Sequence, residues 1–315
     1  MLDKIIFIIG HGRSGTTLLN KILSAHPKIF FVSREFNDLA FFYFNRNLYL
    51  KKDIIYYNEM AKDILKHPLI NLQIQNINSN NFRELINKIF DFIRKKERKD
   101  IIGLKISDMI HANVSMIKSV FPDAYCIHII RDPRDVFLSI KRIAFGTKSP
   151  FYVAKSWKEI VGKISTLKNS IKHYHEIFYE KLITSPKEEI KKLCDFIGIE
   201  FSHDMLYFHK KVKESLPPQH KLLKNGFIKN NFNKWKKTLT NKELKLIYAG
   251  TGTKIYEMGY SDKPIIEKIS FLNRLWEYSI DKLYFYFKTP QRLLLYPWQM
   301  YPTKIRLKRI IWKLI

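Results

Sequence analysis

The eight residues Gly10-His11-Gly12-Arg13-Ser14-Gly15-Thr16-Thr17 constrain this chain more than any other segment. They follow the uninterrupted apolar run Ile5 to Ile9, the length of a strand buried on both faces. They precede Leu18, Leu19, Ile22 and Leu23, which recur at helical spacing. A strand, a glycine-rich turn and a helix in that order open a doubly wound sheet. In such a unit the turn amides and the helix N-terminus converge on one point and favour an anion there. Gly10 and Gly15 have the G-x-x-x-x-G spacing of a phosphate loop, but Thr16-Thr17 stands where a nucleoside triphosphate enzyme carries Lys. Without that Lys the loop is poorly suited to ATP or GTP chemistry. Arg13, inside the loop, is the available cation, and its planar fork could bridge a terminal anionic group and a leaving phosphate.

The rest of the chain extends the same pattern. A second strand is predicted over Ile29 to Val32, and further strands over Ile101 to Ile106 and Tyr125 to Ile130, with a helix from about Asn113 to Val120 that ends before Pro122. Pro133 suits the first turn of another helix. Val153 to Ile171 reads as a long helix, Glu176 to Tyr179 as a short strand, and Pro186 to Ile197 as a helix closed by Gly198. Tyr43 to Phe82 is less regular, and Asn71 to Asn81 reads as a surface loop. The fold class expected is α/β: a P-loop-like three-layer fold with a central, mainly parallel sheet flanked by helices. The expected organisation is one unit over 1–262 and a helical, basic and aromatic C-terminal extension over 263–315.

Composition narrows the function classes. The 315 residues are 46% hydrophobic and 14% aromatic, a globular composition. The formal charge of +27 attracts phosphates, sulfated sugars, anionic lipid or nucleic acid without choosing among them. Cys126 and Cys194 stand apart, with no His/Cys cluster for a metal, so no metal is expected and a reducing, cytoplasmic location is. Ile5 to Ile9 is too short for a signal segment, and no apolar run approaches a membrane span.

A second anchor follows the strand Tyr125 to Ile130. Arg131-Asp132-Pro133-Arg134-Asp135-Val136 leads into a helix on which Ser139 can face the same side as Arg131, beside the first loop. With these residues in place the chain resembles the PAPS-dependent sulfotransferases. Gly12-Arg13-Ser14-Gly15-Thr16-Thr17-Leu18-Leu19 is similar to their 5′-phosphosulfate loop, and Arg131 to Val136 with Ser139 to their 3′-phosphate motif. Arg in the loop is closer to the tyrosylprotein and bacterial branches than to the cytosolic small-molecule members. Phe121-Pro122-Asp123-Ala124, Tyr179-Glu180-Lys181-Leu182, Lys234-Trp235 and Gly259-Tyr260 also resemble family segments, so that the likeness spans about residues 4 to 260.

The resemblance implies PAPS as co-substrate, with Gly12, Arg13, Ser14, Gly15, Thr16 and Thr17 on the phosphosulfate, Arg131 and Ser139 on the 3′-phosphate, and Tyr179 and Lys234 lining the nucleotide site. Sulfuryl transfer then requires an in-line acceptor oxygen, a base and cations over the departing phosphate, and no metal. Glu35, just past the second predicted strand, is the base that the resemblance implies, with Asp38 one turn onward as a substitute and His111 as the other candidate. Lys105, at a strand end, is suited to positioning the sulfuryl group or the acceptor. His26 is expected to cap or pack under the first helix.

The acceptor expected is a hydroxyl compound, carbohydrate or lipid-linked. From Lys288 to Ile315 there are seven Lys or Arg residues and no acidic ones, and before them Leu272, Leu275, Trp276, Ile280, Leu283 and Phe287 recur at helical spacing. Such a segment can lie on a membrane surface or pack on its own domain. The alternatives weighed are a P-loop kinase using Asp132 as its acid, and a nucleic-acid or anion binder without activity. No nucleic-acid motif is present, so no nucleic-acid partner is expected.

Overall fold

The computed structural model describes residues 4–32, 38–51, 54–66, 77–107, 110–143, 147–212, 218–295 and 304–305. Strand β1 (Ile5–Ile9) enters the loop and helix α1 (Thr16–Ser24), then β2 (Ile29–Phe31) and α2 (Asp38–Phe44). The stretch that looked irregular holds a small hairpin, β3 (Leu50–Lys51) with β4 (Ile54–Ile55), and helix α3 (Tyr57–Leu65). Helix α4 (Phe82–Glu97) precedes β5 (Ile101–Ile106), α5 (Ile110–Val120), β6 (Tyr125–Ile130), α6 (Pro133–Lys141) and α7 (Pro150–Ser165). Next come β7 (His173–Phe178), α8 (Tyr179–Thr184), α9 (Pro186–Ile197), the short α10 (Trp235–Thr238), α11 (Asn241–Thr251), α12 (Lys254–Glu257) and the long α13 (Phe271–Leu295).

Five strands form one parallel sheet in the order β2-β5-β1-β6-β7. Strand β1 is central and its side chains divide between two cores. Ile5, Phe7 and Ile9 join Ile102, Leu104 and Ile106 and the apolar faces of α4 and α5, whereas Ile6 and Ile8 join Ile127, Ile129 and Ile177 against α1, α8 and α9. Burial on both faces is why β1 reads as an unbroken apolar run. A third cluster, Ile130, Val136, Phe137, Trp157, Val161 and Ile247, locks α6, α7 and α11 together beside the end of β6. The chain leaving β1 turns toward one sheet edge and the chain leaving β6 toward the other. The crevice at their carboxyl ends is therefore the topological switch point, where open α/β sheets bind ligands.

Several boundaries differ from expectation for local reasons. Tyr179 does not end a strand; it opens α8, and β7 begins earlier, at His173, because pairing with Tyr125 through Ile130 extends it. The long helix begins at Pro150, capped by Ser149, and tightens into a 3₁₀ turn over Thr166–Asn169. Helix α4 has its start signal in the sequence: Asn81 accepts the amide of Glu84 as N-cap, and Glu84 accepts the amide of Asn80. Of the predicted loop Asn71 to Asn81, residues 71–76 lie outside the described set. His26 is buried beyond α1, with Nε2 donating to the Glu200 carbonyl at 2.9 Å and Nδ1 accepting from the Lys28 amide at 3.1 Å.

Candidate active site

The first loop is shaped by what it must fit between. Gly15 lies at φ 103°, and a Cβ there would meet the Tyr179 ring at 2.5 Å, so only glycine lets α1 start this close to α8. Gly12 is different: a Cβ built on it meets nothing within 4 Å, so its bareness serves no packing inside the protein. Arg13 adopts φ 71°, the left-handed region that a residue with a Cβ seldom enters. The first turn of α1 has no side-chain cap, leaving its amides for another acceptor. His11 is buried, its Nδ1 donating to the Gly12 carbonyl at 2.8 Å, and burial lowers its pKa to about 4, so the ring is neutral at physiological pH.

The second anchor begins where β6 ends. Asp132 N-caps α6 by accepting the Arg134 amide at 2.8 Å, with Pro133 in the first turn. Helix α6 then brings Ser139 to the first loop, where Arg13 Nε donates to its Oγ at 3.0 Å. Arg131 reaches the same place: Nη1 donates to the Arg13 carbonyl at 3.2 Å, and its guanidinium lies 4.2 Å from the centre of the Tyr179 ring. Trp157 Nε1 holds the Arg131 carbonyl at 3.0 Å. The two anchors predicted from sequence are thus joined by direct contacts.

A third segment is clipped over them. Asn231 accepts Arg131 Nη2 on its carbonyl at 3.0 Å, donates Nδ2 to the Tyr179 hydroxyl at 2.6 Å and accepts Lys234 Nζ on Oδ1 at 2.7 Å. Burial, with the charges of Arg142 and Arg131, lowers the Lys234 pKa. The clip is fastened from below, since Asp135 accepts the amides of Asn233 at 2.6 Å and Trp235 at 3.1 Å. Beside it Arg134 is buried; desolvation works against its charge, yet paired hydrogen bonds to Asp132, the shortest 2.6 Å, hold its pKa above the ordinary value. Arg134 also donates to the Tyr260 carbonyl and stacks on Trp235 at 3.8 Å. Glu180 completes the frame, accepting the Asp132 amide at 3.1 Å and the Tyr260 hydroxyl at 2.9 Å.

Arg13, Arg131, Ser139, Tyr179 and Lys234 therefore meet in one cluster. Lys105 is buried at the end of β5 next to β1, its Nζ 3.4 Å from Thr17 Oγ1. His111 is exposed on the first turn of α5 and, among the described contacts, none joins it to the cluster. Glu35 lies outside the described residues, and Asp38 opens α2. Asp135, Glu180 and Tyr260 lie in segments that the family resemblance picks out, without a role given to them there, whereas Asn231 carried no signal of its own. Two buried polar atoms at the cluster, Ser14 Oγ and Arg131 Nε, have no hydrogen-bond partner among the described residues. Together with the open space at Gly12 and the uncapped amides of α1, they fit a phosphate-bearing ligand.

Comparison with known proteins agrees with this geometry. A putative protein-tyrosine sulfotransferase of Caenorhabditis briggsae is 23% identical over 238 residues, covering 73% of this chain and 78% of that protein. The sulfotransferase domain of the Synechococcus PCC 7002 olefin synthase has the same fold, with a TM-score of 0.56 at 18% identity over 83% of this chain and 96% of that domain. The sulfotransferase domain of the curacin biosynthetic pathway gives 0.55 at 20% identity, over 82% and 99%. The model of the sulfotransferase family matches residues 6–203, a span that holds both anchors and Tyr179, and the chain belongs to that family of transferases.

Proposed function

We propose that the protein moves a sulfuryl group from PAPS to an acceptor hydroxyl of a carbohydrate, glycolipid or other alcohol, using a unit over 1–262 with 263–315 as an appendage. The observation that carries this reading is the Arg13–Ser139 hydrogen bond together with the contact of Arg131 on the Arg13 carbonyl, which makes one site of two anion anchors. A single-phosphate loop needs no second anchor 118 residues later in the chain. A nucleotide with phosphate at both the 5′ and 3′ positions does.

When bound, PAPS supplies the activated sulfuryl group and a phosphate leaving group. The amides of Gly12 to Thr17 and the Ser14 hydroxyl hold the 5′ end, while Arg131 and Ser139 take the 3′-phosphate. Tyr179 and Lys234 line the nucleotide pocket. Arg13, freed from Ser139, would stabilise the negative charge that develops on the departing phosphate. Lys105 orients the sulfuryl group or the acceptor, and Glu35 takes the acceptor proton, with His111 as the alternative base. This assignment places charge stabilisation on protein cations and amides and calls for no metal.

Calorimetric titration tests it. In EDTA, 3′-phosphoadenosine 5′-phosphate should bind roughly 100-fold more tightly than adenosine 5′-phosphate, and Arg131→Ala or Ser139→Ala should erase most of that margin. Equal affinity for the two nucleotides would sink the reading.

A further inference from the structure

Helix α13 is attached to the rest of the molecule by its polar side. Ser149 Oγ donates to Glu277 Oε2 at 2.6 Å, the Lys148 amide donates to Asp281 Oδ1 at 3.1 Å, and the Thr147 hydroxyl bonds the same carboxylate. Tyr152 packs edge-on against Tyr278, and Lys148 lies over the Tyr284 ring at 5.1 Å. Glu277 is only 6% exposed in consequence.

The apolar stripe points the other way. Leu272 is 74% exposed, Trp276 62%, Leu283 62% and Phe287 73%, with Leu275 and Ile280 between them. At 1.5 Å per residue this stripe runs for about 22 Å along the helix. A contiguous apolar surface of that extent on a folded protein marks a contact site. Among the described residues it is no part of the core.

The charge pattern says what covers it. Both acidic residues of the helix, Glu277 and Asp281, are spent on contacts with the 147–149 segment. The exposed cation bordering the stripe is Lys282, next to Leu275 around the helix, and the approach to the helix exposes Lys263 and Lys268. From Lys263 to Ile315 the sequence has eleven Lys or Arg against three acidic residues, in a chain of net charge +27. Exposed Trp276 and Tyr286 supply rings with an apolar body and a polar tip, the kind that settle at a lipid headgroup boundary. No helix among the described residues is long and apolar enough to cross a membrane, so the stripe can lie on a bilayer but not span it.

We infer that the outward face of α13 docks the protein flat on an anionic lipid bilayer, with Leu272, Trp276, Leu283 and Phe287 in the acyl boundary and Lys282, with Lys263 and Lys268 on the approach to the helix, on the headgroups. The inference is independent of the sulfuryl donor and acceptor. It is tested by flotation of the full chain with phosphatidylcholine vesicles prepared with and without phosphatidylglycerol. The protein should float with the phosphatidylglycerol vesicles and remain behind with phosphatidylcholine alone. Trp276→Ser with Leu283→Ser, and separately Lys268→Glu with Lys282→Glu, should each lower partitioning at least ~10-fold while leaving the thermal unfolding midpoint in place. Failure of the unaltered chain to float overturns the inference, and so does flotation that neither pair of substitutions weakens, which would move membrane contact to another basic segment. Light scattering adds a further check. A dimer that Trp276→Ser with Leu283→Ser dissociates would make a second copy of the chain the occupant and would also overturn it.

Discussion

The phosphate loop and helix α13 both depart from the usual rule of apolar inside and polar outside, in opposite senses. Around the loop, polar and charged groups are buried: His11, Ser14, Arg131, Asp132, Arg134 and Asp135 all lie under the end of the sheet. On α13 the carboxylates face inward and the large apolar side chains face solvent. The difference lies in how each departure is compensated. Near the loop, among the described residues, most buried polar groups have a partner, and Ser14 Oγ and Arg131 Nε, which have none, are suited to an anion. On α13 nothing among the described residues covers the exposed stripe, as on a surface that meets an external partner. One region is held rigid by polar pairing, the other is held on by it.

The comparison breaks most sharply at Arg134. Arg134→Ala removes the partner of buried Asp132 and the stack on Trp235, and should cost about 3–5 kcal/mol by urea denaturation. A loss below ~1 kcal/mol would mean that the frame under the second anchor is not held by this pair. Lowering the pH probes the loop itself. Folded His11, with its pKa lowered to about 4 by burial, refuses a proton that the unfolded chain takes up near pH 6.5. Its contribution is therefore complete above about pH 6.5 and is lost as the pH falls toward 4, by roughly 3 kcal/mol in all. Urea midpoints across that range should fall, and His11→Gln should flatten part of the slope; an unchanged slope would show that the ring is not buried in its neutral form.

The smallest effects separate the two faces of α13. Ser149→Ala leaves the Glu277 carboxylate buried without its hydroxyl donor and should destabilise by about 1–2 kcal/mol. Leu283→Ser, on the outward face, should shift stability by less than ~0.5 kcal/mol despite removing a large apolar side chain. Equal losses from the two changes, read by the same thermal melts, would show that the stripe is packed in solution.

Much of this was legible along the chain. Strands over Ile101–Ile106 and Tyr125–Ile130 and the helix Pro186–Ile197 fall where apolar runs, Pro and Gly set them, because those rules act on neighbours in sequence. The meeting of Arg13, Arg131 and Ser139 was also foreseeable, since both anchors sit at the carboxyl ends of strands that pair with each other. Asn231 was not, because its importance comes from touching Arg131, Tyr179 and Lys234 at once, and an asparagine in an Asn-rich stretch looks like a loop residue.

By itself, then, the sequence determined the sheet, the glycine-rich loop and the strand ends that bring Arg13, Arg131 and Ser139 together, because burial on both faces and turn geometry are local properties. It also determined that the last long helix is amphipathic. Which side of that helix meets the protein was decided only by the tertiary structure. Periodicity reports that a stripe exists, while its direction depends on distant donors, here Ser149 and the Lys148 amide, that hold Glu277 and Asp281 and turn the apolar side outward.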